Sequence, residues 1–172
     1  MYRKSIEEGA LSCMIGHIAL PEYSKVLDPT LKDEDILPAT LAKEITTTLL
    51  REKLGFNGLV VTDATAMAGF ALPMPREKAV PMSIAAGNDM FLFTRNMDED
   101  FYFMKKGIEE GVITSERLDE ALTRILGMKA ALKLHTKQQN NELAPNLERA
   151  KEIIGNAKHQ EWAKECADKS IT

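Results

Sequence analysis

One short segment, which begins with a turn and ends on a single acid, constrains the fold more than any other part of the chain. Residues 55–63 are Gly-Phe-Asn-Gly-Leu-Val-Val-Thr-Asp. The continuous apolar run at residues 59–61 is typical of a strand buried on both faces, as in a parallel sheet covered by helices. Asp63 therefore follows a buried strand, at the sheet edge where parallel α/β folds bind ligands and place catalytic groups.

Two further apolar runs predict that this strand belongs to a parallel α/β fold. Residues 10–15 and residues 89–93 suit buried strands, and segments with helical spacing lie between the runs. Strands that alternate with helices indicate parallel βαβ units with right-handed crossovers. Because His17, Asp63 and Arg95 each follow one of the three runs, we expect them at the same edge of the sheet.

The connecting segments carry their own signals. Prolines and acids across residues 21–38 predict a long loop, and Pro38 suits the first turn of a helix that ends at Gly55. A second helix is expected over residues 76–86, where Pro81 should interrupt or kink it.

The C-terminal third is predicted to be helical with one polar interruption. A helix should span residues 98–110, and Thr114 is a plausible N-cap for a longer helix that follows. The polar residues 136–145 are typical of a linker. Residues 147–154 and 159–170 are two further helix candidates.

The segment that ends on Asp63 resembles the nucleophile segment of glycoside hydrolase family 3. The similarity extends over residues 49–63, and further matches occur in the same order at residues 14–17, 86–90 and 124–129. By this resemblance, Asp63 is the carboxylate that attacks the anomeric carbon in a retaining hydrolysis of β-glycosides.

The length of the chain limits how much of such an enzyme it can hold. The chain has 172 residues, whereas a complete (β/α)8 TIM-type barrel has about 250. The resemblance therefore implies that residues 1–135 are the C-terminal part of the barrel, about three parallel βα units with the closing helix. It makes residues 136–172 a linker and the start of a following domain. We expect this piece to be inactive alone, and to need the missing barrel half or to self-associate.

Three residues besides Asp63 are candidate substrate ligands. Family members place a substrate-side His or Tyr where His17 stands, and Met67 resembles a position that the family keeps as Met. Arg95 follows the third predicted strand and could bind a hydroxyl or a carboxylate. Each has a plainer interpretation, namely a loop hydrogen bond for His17, packing for Met67 and solvation for Arg95. The general acid and base that a retaining enzyme also needs cannot be assigned within this chain.

The residues around Asp63 indicate which sugar the resembling enzymes would prefer as substrate. Glucosidase-like members commonly have Trp after the nucleophile, and N-acetylglucosaminidases often have a second Asp, whereas this chain has Ala64. The absence of Trp and the presence of His17 favour N-acetyl-β-glucosaminides. Residues 159–170 resemble the opening of a second domain more usual in glucosidase-like members, so a β-glucosidase is the alternative. A non-catalytic α/β binding module is the alternative from another class.

Composition excludes several other classes of protein. The chain is 44% hydrophobic and 28% charged, with a net charge of −4, which argues against nucleic-acid or anionic-membrane partners. No apolar span reaches the length of about 18 residues that a membrane helix needs, and residues 1–10 lack the apolar middle of a signal peptide. We therefore expect a cytoplasmic protein, and the family resemblance implies a carbohydrate substrate. Cys13 and Cys166 are predicted to be free thiols, and the sequence implies no metal or other cofactor.

Overall fold

The computed structural model describes residues 2–170 and divides the chain into two compact units, Met1–Met128 and Lys129–Thr172. The first unit begins with α1 (Tyr2–Glu7), β1 (Ser12–Ile15), α2 (Pro21–Leu27), a 3-10 turn (Asp33–Asp35) and a π-helix (Glu44–Lys53). It continues with β2 (Leu59–Thr62), α3 (Ala68–Ala71), α4 (Arg76–Ala85), α5 (Met97–Glu109) and α6 (Ser115–Ala131), which runs into the second unit. The second unit then contains α7 (Leu134–Gln139), α8 (Leu147–Ile153) and α9 (Ala157–Ser170).

A small parallel sheet positions the site. β1 and β2 pair in parallel, with Ser12 opposite Leu59 and Ile15 opposite Thr62. The third predicted strand is reduced to one parallel bridge between Val61 and Met90. The prediction of a full strand over residues 89–93 is therefore wrong in extent, although the segment lies beside β2 and runs in the predicted direction.

Side chains replace backbone hydrogen bonds on both sides of that bridge. The Val60 N–H donates to Asp89 Oδ2 (2.9 Å), and the Leu92 N–H donates to Thr62 Oγ1 (2.9 Å). Between them, the Met90 N–H donates to Val60 O (3.1 Å) and the Thr62 N–H donates to Met90 O (3.0 Å). The regular ladder is limited to Met90, because the N–H groups of Val60 and Leu92 on either side of the bridge already donate to side chains.

The segment between β1 and the π-helix has more structure than predicted. α2 and the 3-10 turn lie within residues 21–38, so the prediction of a loop there is wrong. Pro38 pairs with Ala19 in an antiparallel bridge, and the Ala39 N–H donates to Ile18 O (2.9 Å). This pairing holds Pro38 in extended backbone, which explains why the helix begins later than predicted.

The predicted helix before Gly55 has π-type hydrogen bonding. The Leu54 N–H donates to Leu49 O, five residues earlier in the chain, at 2.9 Å. Gly55 then adopts a φ of 71°, a left-handed conformation that glycine reaches without steric cost. The chain therefore turns into β2 at the predicted residue.

Buried apolar side chains hold these elements together in three clusters around the sheet. The first joins the start of the π-helix region to α3 and α4, and the third joins the π-helix to β2. The buried members are Leu41, Phe70, Ala79 and Val80 in the first, Ala39, Ala42 and Ile45 in the second, and Leu50, Phe56 and Val60 in the third.

α4 and α5 approach each other closely at Pro81 and Gly107. α4 is continuous over Arg76–Ala85 with Pro81 inside it, so the expected interruption does not occur. A Cβ atom added at Gly107 would lie 2.3 Å from Pro81 Cβ. Only a residue without a side chain fits there.

Gly107→Ala should therefore lower the free energy of unfolding by about 1–3 kcal/mol, the usual cost of overpacking a close contact. Gly127→Ala is the matched control, because Gly127 is also in a helix and an added Cβ would meet nothing within 4 Å. That change should raise the free energy of unfolding by about 0.5–1 kcal/mol. Urea unfolding measures both. Equal stability of the two variants would contradict the close packing.

The second unit confirms two helix predictions. α8 and α9 match the candidates at residues 147–154 and 159–170, whereas α7 occupies part of the predicted linker at residues 136–145. A following domain that starts in this region stays a prediction. Among residues 2–170, no helix is long and apolar enough to cross a membrane. Cys13 is half-buried, Cys166 is exposed, and both are free thiols as predicted.

Candidate active site

Asp63 directly follows β2, at the predicted end of the sheet. Its N–H donates to Ile15 O (3.0 Å), which fixes the backbone against β1. Its Oδ1 accepts the Ala64 N–H at 2.7 Å. Among the residues described, Asp63 Oδ2 accepts no hydrogen bond. The half-buried carboxylate is thus held by the protein through one oxygen alone among these residues.

His17, after β1, contacts the segment that follows Asp63. Its Nε2 lies 3.1 Å from Ala64 O, and its Nδ1 lies 2.8 Å from Thr40 Oγ1. Because a carbonyl oxygen only accepts, we assign a hydrogen to Nε2. The ring also packs against Phe70, with the two ring centroids 5.2 Å apart. Both ring nitrogens of His17 are bonded to the protein, so its contact with a sugar stays a prediction.

Ala64 O is a shared acceptor at the centre of this region. Besides His17 Nε2, it accepts the Met67 N–H at 3.0 Å. Met67 precedes α3 and its side chain is half exposed. Gly69 completes the close approach, because a Cβ there would lie 2.6 Å from His17 O. The structure thus brings His17 and Met67 to the backbone beside Asp63, while a substrate role for Met67 stays a prediction.

Arg95 follows the third segment, and it is joined to the site through its backbone. Its N–H donates to Asp100 Oδ2 (3.2 Å), and its side chain is exposed. Arg76 donates two hydrogen bonds to the buried Asp100 carboxylate, from Nε to Oδ1 (2.7 Å) and from Nη2 to Oδ2 (2.6 Å). Arg76 Nη1 also donates to Thr65 O (3.0 Å). Arg95 makes no described side-chain hydrogen bond, so its binding role stays a prediction.

The sequence interpretation missed the residues that support this edge. Thr40, Thr65, Arg76 and Asp100 were not singled out, although each bonds the backbone or a side chain near the site. The sequence alone gave no signal for Asp100. It stands among the acids in the first turn of α5, but it is buried there, and a buried acid needs a cationic partner.

An ion cluster lies at the opposite, amino end of the strands. The buried carboxylate of Asp89 accepts a hydrogen bond from Arg51 at 2.7 Å and another from Arg117, and Arg124 Nη1 lies 3.5 Å away. Burial lowers the pKa of the Arg51 guanidinium, and the charge of Asp89 opposes that change. Because this end of a parallel sheet serves stability rather than ligand binding, we interpret the cluster as structural.

Comparison with known proteins identifies the family. The family model described as Glycosyl hydrolase family 3 N terminal domain matches residues 1–128. The chain is 52% identical over its full length to Beta-N-acetylglucosaminidase/beta-glucosidase from Cellulomonas fimi, of which it covers 30%. It is 29% identical to Beta-hexosaminidase A from Pseudoalteromonas piscicida, where the match covers 92% of this chain and 27% of that protein.

Solved structures agree with the sequence comparisons. The structure of Beta-glucoside phosphorylase BglX bound to 2FGlc matches 99% of this chain and 30% of its own, with a TM-score of 0.90 and 46% identity. A glycoside hydrolase family 3 beta-N-acetylglucosaminidase from Paenibacillus sp. matches 75% of this chain and 23% of its own, with a TM-score of 0.64 and 27% identity.

The chain therefore spans about a third of the length of these relatives or less. Its α/β fold is similar to that of the N-terminal TIM-barrel domains of the family. The resemblance recognised around Asp63 is confirmed at the level of the family. On these matches, the chain belongs to glycoside hydrolase family 3.

Proposed function

We propose that this chain is part of a retaining β-glycoside hydrolase in which Asp63 is the nucleophile. The observation that carries the proposal is the state of the Asp63 carboxylate. Oδ1 is held by the Ala64 N–H at 2.7 Å, while Oδ2 is free of protein hydrogen bonds among the described residues. A nucleophilic carboxylate needs a fixed orientation and one oxygen available for attack.

The chemistry follows the two steps of a retaining enzyme. Oδ2 of Asp63 attacks the anomeric carbon, and the bond from that carbon to the leaving-group oxygen breaks as that oxygen takes a proton from a general acid. Water then attacks the anomeric carbon of the glycosyl ester, gives its proton to the same group acting as base, and releases the carboxylate. The Ala64 N–H keeps the attacking group oriented in both steps.

We further propose that the general acid and base lies outside this chain, in barrel units and domains that complete the protein. The length of the relatives supports this, because the chain covers 30% of the Cellulomonas fimi protein. The flank of β1 supports it as well. A cavity of about 240 Å³ opens beside β1, its lining includes Met14, Ile18 and Leu49, and the side chain of Leu11 nearby is exposed. Further strands and helices would cover this apolar flank; without them the chain should self-associate.

We propose N-acetyl-β-glucosaminides as the preferred substrates and β-glucosides as the alternative. The first is supported by His17 and by the small Ala64 after the nucleophile, which leaves room beside the sugar. The printed name of the Cellulomonas fimi relative includes both activities.

A second candidate function has a specific observation in its favour. The relative of known structure named a beta-glucoside phosphorylase is 46% identical to this chain over nearly its whole length. In a phosphorylase of this kind, inorganic phosphate rather than water would attack the glycosyl ester, and the product would be a sugar 1-phosphate. The role of Asp63 would be unchanged.

The test compares acceptors in the whole protein. The protein is incubated with a nitrophenyl N-acetyl-β-glucosaminide or a nitrophenyl β-glucoside, with and without inorganic phosphate, and the sugar products are identified by mass spectrometry. We expect free sugar under both conditions and faster release from the N-acetyl substrate. If a sugar 1-phosphate forms when phosphate is present, the protein is a phosphorylase and the proposal of hydrolysis is wrong. The isolated 172-residue chain is the control and should be inactive, because loss of an acid/base group alone costs about 10²- to 10⁴-fold.

A further inference from the structure

An exposed aromatic side chain stands at the same edge of the sheet as Asp63. Phe93 follows the segment that bridges to β2 at Met90, and its side chain is 68% exposed. Its neighbour Phe91 is instead packed against the buried core and meets the Phe70 ring edge-on. Two phenylalanines in one short segment thus have opposite environments in this chain, and packing within the chain accounts for only one of them.

The backbone of Phe93 is in a left-handed conformation, with a φ of 53°. Such a value is rare for a bulky side chain, and glycine or asparagine would adopt it with less strain. Residues held in strained backbone conformations cluster at ligand sites, where the surrounding structure keeps them in place.

That surrounding structure comes from the residues next to Asp63. The Thr65 N–H donates to Leu92 O (3.2 Å), and Thr65 Oγ1 donates to Phe93 O (2.7 Å). On the other side, Asp100 holds the Arg95 N–H. Arg76 joins the two supports, because it bonds both Thr65 and Asp100. The position of Phe93 is therefore tied to the segment that begins at the nucleophile.

We propose that Phe93 is a specificity-determining residue, whose ring stacks on the leaving group of the glycoside that Asp63 attacks. The proposal rests on the proposed function and adds a binding surface to it. Aromatic rings offer large, rigid apolar faces, which suit the C–H faces of a sugar or an aryl group.

The position of Phe93 on the third segment favours a contact of its ring with the leaving group rather than with the attacked sugar. Neighbouring strands lie about 4.8 Å apart, so a residue on the third segment stands beside Asp63 and not beneath the anomeric carbon. The opposite flank, after β1, is occupied by the half-buried His17. An attacked sugar is enclosed by its site, whereas the leaving group extends away from the nucleophile, and the Phe93 side chain is left mostly uncovered by the described part of this chain.

The test uses two donors with the same sugar and different leaving groups, assayed with the whole protein. A nitrophenyl glycoside offers an aryl group for stacking, whereas the glycosyl fluoride offers a single atom. Phe93→Asn removes the ring and keeps a residue that tolerates the left-handed conformation. Phe93→Tyr keeps the ring and is the matched control.

We expect Phe93→Asn to lower kcat/KM for the nitrophenyl glycoside by about tenfold, equivalent to about 1.4 kcal/mol, mainly through KM. Turnover of the fluoride should stay within about twofold of the parent value, and Phe93→Tyr should match the parent with both donors. The thermal midpoint of Phe93→Asn should equal or exceed that of the parent, because the backbone strain is relieved.

Equal losses with both donors would overturn the proposal, because the ring would then act on the attacked sugar or on the nucleophile. No loss with either donor would overturn it as well. If the parent protein turns over neither donor, the proposed function itself is wrong, and so is the role of Phe93 that depends on it. An active parent with unaffected variants removes only the role of Phe93.

Discussion

Asp63→Asn should reduce turnover of β-glycosides by the whole protein by about 10⁴- to 10⁶-fold, the range seen when other enzymes lose a nucleophile or a residue that acts with it. Asparagine keeps the size of the side chain and an oxygen that can accept the Ala64 N–H. It lacks the charged oxygen that would form the glycosyl ester. The loss should therefore fall on kcat, and the fold should be retained. Initial rates with a nitrophenyl glycoside measure it.

Asp119→Asn is the control for removal of a carboxylate, because Asp119 is exposed on α6. It should leave the rate unchanged. A fluorinated mechanism-based glycoside gives an independent measurement, since peptide mass mapping should find the label on Asp63 of the parent protein. Label on another residue would contradict the assignment of the nucleophile. Faster labelling by the glucoside reagent than by the N-acetyl reagent would reverse the sugar preference.

Asp89→Asn should lower the free energy of unfolding by about 3–5 kcal/mol, the usual cost of removing one partner from a buried ion pair. The Asp89 side chain is fully buried and bonds Arg51, Arg117 and the Val60 N–H. Asparagine can still accept the Val60 N–H, but it leaves the guanidinium groups without their buried counter-charge. Urea unfolding of the parent and the variant measures the change.

Glu109→Gln provides the matched control for the loss of an acidic charge. Glu109 is 63% exposed and pairs with Lys105 at 3.8 Å on α5. Exposed pairs of this kind contribute about 0–1 kcal/mol, so the free energy of unfolding should hardly change. If Asp89→Asn were as mild as Glu109→Gln, the cluster at the amino end of the strands would not stabilise the fold as the buried contacts imply.

The strand before Asp63 was predictable because its signal is local and strong. Residues 59–61 form an apolar run after a glycine turn, and β2 occupies Leu59–Thr62. The third strand was predictable only in place and direction. Its apolar run resembles that of β2, but its extent depends on the Asp89 carboxylate and the Thr62 hydroxyl. Apolar periodicity does not report which side chains will take backbone hydrogen bonds.

The prediction for the segment before the π-helix was wrong for a related reason. Prolines and acids across residues 21–38 indicate a loop in isolation, but Pro21 is also suited to the first turn of α2. The start of the following helix depends on the bridge between Ala19 and Pro38, a pairing of residues far apart in sequence. Local signals therefore predicted Gly55 as the end of this helix correctly and misplaced its start.

At the site, the sequence predicted which residues follow the strands but not how they are connected. Family resemblance selected Asp63 and His17, and the structure joins them through Ala64 O and through the Asp63 N–H bond to Ile15 O. A backbone atom takes part in each link, the carbonyl oxygen of Ala64 in the first and both partners in the second, and a side-chain pattern does not predict such bonds. The contacts of His17 with Thr40 and with the Phe70 ring each involve two side chains.

The residue after Asp63, the proposed nucleophile, takes part in the hydrogen bonds of the site through its main chain alone. The Ala64 N–H donates to Asp63 Oδ1, and the Ala64 carbonyl oxygen accepts from His17 Nε2 and from the Met67 N–H. Every amino acid except proline carries the same two groups. The side chain at this position is therefore not needed for the hydrogen bonds that orient the Asp63 carboxylate. Evolution, or an engineer, can exchange Ala64 to reshape the space beside the Asp63 carboxylate while Asp63 keeps its orientation.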